Sequence, residues 1–140
     1  MAIKMRILYA ASGKMSTMAA KLHSEYQLGP NAVDNIPPAY SCDKERIVIL
    51  AISAKGGISD TLRLFCQELT KARAQNVALM IDGDEKAAAK LKEVLTAAGT
   101  NVIDEVIYVN GGMPIFGGSV KPEEKAEIFA WVDRVIKNLK

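Results

Sequence analysis

This sequence is poor in the residues that most metal, thiol and membrane chemistry relies on. It holds two cysteines, one histidine and one tryptophan in 140 residues, and aromatic side chains make up 6% of it. Cys42 and Cys66 stand apart without a CxxC spacing, which speaks against a disulfide or a dithiol motif; a cytosolic setting keeps them reduced. His23 has no Cys, Asp or Glu at a metal-ligand spacing, so it is read as a surface or packing residue rather than a ligand or catalyst. Long apolar runs are missing too: the stretches at 47–52, 77–81 and 102–109 are too short to cross a bilayer. Met1-Ala2-Ile3-Lys4 runs into a strand pattern rather than a signal peptide, and the expected location is cytoplasmic, with no membrane partner. No charge of one sign dominates. The formal net charge of +2 comes from interspersed acids and bases, which leaves no electrostatic footprint for nucleic acid.

What is present is ordinary for a folded domain: 49% hydrophobic and 24% charged residues. The length suits one domain over residues 1–140 with a core on both faces of a five-strand sheet.

Met5 to Ala10 is an apolar run suited to a strand buried on both faces. After Ser12-Gly13-Lys14, apolar residues return at Met15, Met18, Ala19 and Leu22, one side of a helix. Gly29-Pro30 and Pro37-Pro38 leave room only for a short edge strand near Ala32 to Ile36. Arg46 to Ile52 is the clearest buried strand. Ser59 or Asp60 then caps a helix whose apolar face is Leu62, Phe65, Cys66 and Leu69. Asn76 to Ile81 repeats the buried-strand pattern. Asp82-Gly83-Asp84 is a turn with a ready helix cap, and Ala88, Leu91, Val94, Leu95 and Ala98 line the next helix, which Gly99 stops. A fifth strand is read over Val102 to Val109, with Asp104-Glu105 marking a partly exposed edge. A glycine-rich loop, Gly111 to Gly118, acts as a lid, a partner surface or a plain connector. It leads to a helix with Pro122 in its first turn and Ile128, Val132, Val135 and Leu139 facing inward.

Strands alternating with helices call for an α/β three-layer sandwich with a parallel, doubly wound sheet. Five strands and this length favour the order 2-1-3-4-5, whose switch point puts a ligand crevice at the ends of the first and third strands. At the end of the first strand, Ser12, Gly13, Lys14, Ser16 and Thr17 surround a helix start, where unpaired N–H groups and the helix dipole favour an anion such as phosphate. An ordinary helix cap with a solvated lysine is the plainer account of the same residues. A Walker A loop is excluded, because Leu8 stands where its first glycine belongs and Met15 where its Ser or Thr belongs. No GxGxxG follows the first strand, so a nicotinamide fingerprint is excluded as well.

The run Tyr9-Ala10-Ala11-Ser12-Gly13-Lys14-Met15-Ser16-Thr17-Met18-Ala19 resembles the first strand end, phosphate loop and opening helix of the flavodoxin family, and the resemblance extends over almost the whole chain. The family's Ser/Thr-x-Thr-Gly-Asn-Thr loop falls on Ala10, Ala11, Ser12, Gly13, Lys14 and Met15; the glycine is kept and Ser12 is a conservative stand-in. Ala10 and Met15 lack a hydroxyl, and Lys14 replaces an amide with a cation. The resemblance implies a flavodoxin-like fold with FMN as cofactor, its phosphate held by Ala10 and Ser12 to Thr17. Ser53-Ala54-Lys55-Gly56-Gly57 would face the flavin ring, where the paired glycines permit a peptide flip toward N5. Asp82-Gly83-Asp84 would meet the pyrimidine edge, and Tyr40 or Phe116 would supply aromatic stacking. The implied role is electron transfer or redox accessory work with a redox protein partner, as a monomer or weak dimer rather than a stand-alone enzyme. Lys14 and Met15 support a competing reading, a non-redox module that takes another phosphate-bearing ligand or a protein partner.

Overall fold

The strands that the sequence marks as apolar on both faces lie at the centre of the sheet. A computed structural model of the chain describes residues 4–10, 13–29, 32–36, 38–40, 42–54, 57–83, 85–109 and 122–139, with the backbone alone at 13 and 14. Strand β1 spans Met5–Ala10, helix α1 Gly13–Glu25 and the three-residue β2 Val33–Asn35; β3 spans Ile47–Ser53, α2 Asp60–Gln67, β4 Asn76–Asp82 and α3 Glu85–Ala98. Two short strands, β5 at Asn101–Val102 and β6 at Ile107–Tyr108, precede α4 at Pro122–Lys137. The order across the sheet is β2-β1-β3-β4-β5, with β6 also pairing β4, and every pairing is parallel.

All seven residues of β4 and the first six of β3 are buried, because helices cover both faces of a parallel sheet. On one face Leu8, Val48, Leu50 and Leu79 pack with Leu62, Cys66, Leu91 and Leu95 of α2 and α3. On the other, Ile7, Ile49 and Met80 pack with Met15, Met18 and Leu22 of α1 and with Ile128, Trp131 and Val132 of α4. Each such aliphatic side chain removed from water contributes on the order of 1.5–3 kcal/mol, which is what holds the three layers together.

The helix boundaries follow local chemistry. Ser59 caps α2, its hydroxyl accepting the Leu62 N–H at 3.1 Å. Gly99 ends α3 with φ at +109°, a conformation that costs a glycine little, and its N–H reaches the Leu95 carbonyl at 3.2 Å. Between β2 and β3 the described residues form no helix, and Cys42 of this connector joins the cluster around Leu8 and Val48.

The edge expected as one strand over Val102 to Val109 is two strands. Asp104 and Glu105 are exposed, and the carbonyls of both turn to side chains: Lys92 Nζ donates to Asp104 at 3.2 Å and Trp131 Nε1 to Glu105 at 2.8 Å. Both halves still pair with β4, so the expected order holds.

Candidate functional site

Parallel register sets the ends of β1, β3 and β4 side by side. Ala10 is opposite Ile52, Ile52 is opposite Ile81, and Ser53 is opposite Asp82. The strands are parallel, so Ala10, Ser53 and Asp82 stand together at one end of the sheet. This is the switch point of the doubly wound order, where β1 and β3 are neighbours but their connections depart to opposite faces.

Helix α1 starts at Gly13, three positions beyond the end of β1, and has no acidic residue in its first turn. The partial positive charge of its N-terminus is therefore not offset by a side chain of that turn. Ser16 and Thr17 are half-buried on this first stretch of helix. Met15 is fully buried in the cluster with Met18, Leu22 and Trp131. Any part it plays at a phosphate is thus confined to its backbone, while its side chain serves the core.

The ends of β3 and β4 are clamped together. The Ala54 N–H donates to the Asp82 carbonyl at 2.7 Å, and the Ser53 hydroxyl donates to Asp82 Oδ2 at 3.3 Å. Asp82 is 4% exposed, so its carboxylate braces the two strand ends rather than facing solvent. A Cβ on Gly83 would lie 3.3 Å from the Ala54 carbonyl carbon and oxygen, a tight contact that the Ala54 backbone could admit only by shifting a few tenths of an ångström, and glycine avoids it. Gly57 has φ at +107°, with its N–H on the Ala54 carbonyl at 3.0 Å and open space where a Cβ would stand.

Of the residues singled out in the sequence, Ala10, Gly13, Ser16, Thr17, Ser53, Ala54, Gly57, Asp82 and Gly83 are brought to this end of the sheet. Ser12, Lys55, Gly56, Asp84 and the Gly111 to Gly118 loop with Phe116 lie outside the described residues, as does the side chain of Lys14. Tyr40 is 63% exposed, but its carbonyl is held by Arg6 at 2.7 Å, at the start of β1 rather than its end. Among the described residues there is no group of three or more His, Cys, Asp or Glu able to hold a metal, and no helix long and apolar enough to cross a membrane. Both cysteines are free and buried, and burial pushes the Cys66 thiol up to about 12.

Arg6 escaped notice in the sequence. It is 6% exposed, an arginine inside a run otherwise apolar through Ala10, and that single charge in a strand buried on both faces was the available signal.

No family model matches the chain, and no curated protein matches its sequence. Among solved structures it is similar to a flavodoxin from Streptococcus pneumonia TIGR4, with a TM-score of 0.60 and 16% identity over 96% of this chain and 99% of that one. The chain has a flavodoxin-like fold. At that identity the likeness is one of architecture.

Proposed function

We propose that this chain binds FMN and serves as an electron-transfer or redox accessory protein in the cytoplasm. The observation that carries the reading is the junction of β1 and α1: a helix N-terminus without an acid in its first turn, placed at the switch point beside the clamped ends of β3 and β4. The residues present suit the cofactor there. The N–H groups opening α1, with Gly13 permitting close approach, would take the phosphate, and Ser16 and Thr17 would add hydroxyl donors. Backbone groups of Ala54, Gly57, Asp82 and Gly83 would border the ring, and the open space at Gly57 leaves room for it. When bound, FMN supplies the redox chemistry. The protein's part is to bind and orient it, with Asp82 fixing the spacing of the two ring-side turns. The likeness of fold to a flavodoxin agrees with this reading.

The burial of Met15, whose side chain has no contact to offer an anion, favours a second reading in which the same cradle takes a different phosphate-bearing ligand or a protein partner. Titration of FMN against the purified chain separates the two. Quenching of flavin fluorescence at one equivalent, with at least tenfold weaker binding by Gly13→Asp in calorimetry, is the expected result. A colourless protein that leaves FMN fluorescence untouched removes the first reading, and equal FMN affinity in Gly13→Asp removes the site.

A further inference from the structure

A cavity of about 320 Å³ opens between the edge of the sheet at β5 and the end of α4. That volume falls within the range of small-ligand pockets, roughly 300–1,000 Å³. Its polar lining comes from Asn101, Asp104 and Glu105 on the sheet side and from Arg134 and Asn138 on the helix side. The donors of these side chains are largely spent inside the protein. Asn101 Nδ2 donates to Asn76 Oδ1 at 2.8 Å, and Asn138 Nδ2 donates to the Arg134 carbonyl at 2.7 Å. Arg134 turns Nε to Glu105 Oε1 at 3.0 Å and Nη2 to Oε2 at 2.6 Å, which keeps only Nη1 unspent. What is left over is acceptors: the Asp104 carboxylate and the amide oxygens of Asn101 and Asn138 have no partner among the described residues.

The charges point the same way. Two carboxylates line the cavity against one guanidinium, and that guanidinium is matched to Glu105, so Asp104 carries the uncompensated charge. Lys92 reaches the Asp104 carbonyl at 3.2 Å rather than the carboxylate, and it is not part of the lining. The C-terminus of α4 adds partial negative charge beside Asn138. Of the two cations in its last turn, Arg134 is paired and Lys137 lies outside the lining.

We propose that this cavity binds an organic cation through its N–H groups, an ammonium or a guanidinium, with Asp104 as counter-ion and the amide oxygens of Asn101 and Asn138 accepting the remaining hydrogens. A ligand of this class brings the donors that the lining lacks. An anion would meet the Asp104 charge with Arg134 already engaged. The site is separate from the FMN reading: Asn101 stands opposite Asn76 at the start of β4, whereas that reading uses Asp82 at the end of the same strand, about 20 Å away.

Methylguanidinium chloride and ethylammonium chloride are the probes, with tetramethylammonium chloride, a cation without N–H groups, as the control at equal concentration. The side-chain amide resonances of Asn101 and Asn138, assigned by their loss in Asn101→Ser and Asn138→Ser, shift saturably with millimolar probe and not with the control. Asp104 is exposed, so Asp104→Asn keeps the fold, and it weakens binding at least tenfold. Response to one probe alone narrows the class to that head group; response to either supports the site. N-acetyl-argininamide bound at least tenfold more tightly than methylguanidinium assigns the head group to an arginine side chain of a partner protein, and equal affinity assigns a free small molecule. Gly13→Asp leaves these shifts unchanged, which keeps this test apart from that of the FMN cradle. Resonances indifferent to both probes, or equally sensitive to tetramethylammonium, overturn the proposal. So does binding kept in Asp104→Asn and lost in Glu105→Gln, which would put the cation in the seat of Arg134. If Asn101→Ser fails to fold, the resonance of the exposed Asn138 in the unaltered chain still decides.

Discussion

Trp131 Nε1 donates to the carbonyl of Glu105 at 2.8 Å, so the largest buried side chain of α4 is also the tether of the segment between β5 and β6. The indole is fully buried beneath that segment and packs in the cluster with Ile49, Met80 and Ile103.

Trp131→Ala should therefore cost about 3–5 kcal/mol, the range for removing a large buried aromatic, and should also loosen the split edge of the sheet. Trp131→Phe keeps most of the volume and loses the tether, so its cost is smaller. Urea denaturation followed by circular dichroism gives both values, since the variants lose the chain's one tryptophan as a fluorescent reporter. Equal stability of wild type and Trp131→Ala would contradict the packing described.

Gly83→Ala should destabilise by about 1–3 kcal/mol through overpacking, because the new Cβ meets the backbone of Ala54 at 3.3 Å and neither strand end is free to yield. Gly29→Ala is the control. Its Cβ meets nothing within 4 Å, and its stability should match the wild type to within about 1 kcal/mol.

The hydrogen bonds from Arg134 hold the Glu105 carboxyl below the ordinary glutamate range. A carboxyl depressed in the folded state adds stability above its unfolded pKa and loses it as pH falls through the folded one. Glu105→Gln should accordingly be less stable than wild type near neutrality. The difference should fade below roughly pH 4, the ordinary range of a glutamate, and shrink in high salt. Thermal melts across pH 3 to 7 at two salt concentrations show it; a gap that widens on acidification would reverse the assignment.

The architecture was legible because burial on two faces leaves an unbroken apolar run, and Arg46 to Ile52 and Asn76 to Ile81 are such runs. The caps were legible at Ser59 and Gly99, where one residue type answers one local need. Val102 to Val109 misled because its apolar residues outnumber the two acids, while the break is made by Lys92 and Trp131, distant in sequence and visible only once α3 and α4 are docked. Trp131 was absent from the expected face of the last helix for a related reason: it adjoins Val132, widening the stripe beyond the narrow spacing read from Ile128, Val132, Val135 and Leu139. At the candidate site, spacing located the helix start but not the fate of each side chain. Met15 fell both at a phosphate-loop position, where it lacks the hydroxyl, and on a core stripe, and packing gave its side chain to the core.

The sheet is longest in its interior and shortest at its rims: β3 and β4 have seven residues each, against three in β2 and two each in β5 and β6. Among the described residues, a stray chain seeking to add itself to either rim meets strands of only two or three residues. Fibre-like growth by strand addition is starved of a surface on which to begin, and the most aggregation-prone stretches of this sequence are the ones locked deepest inside.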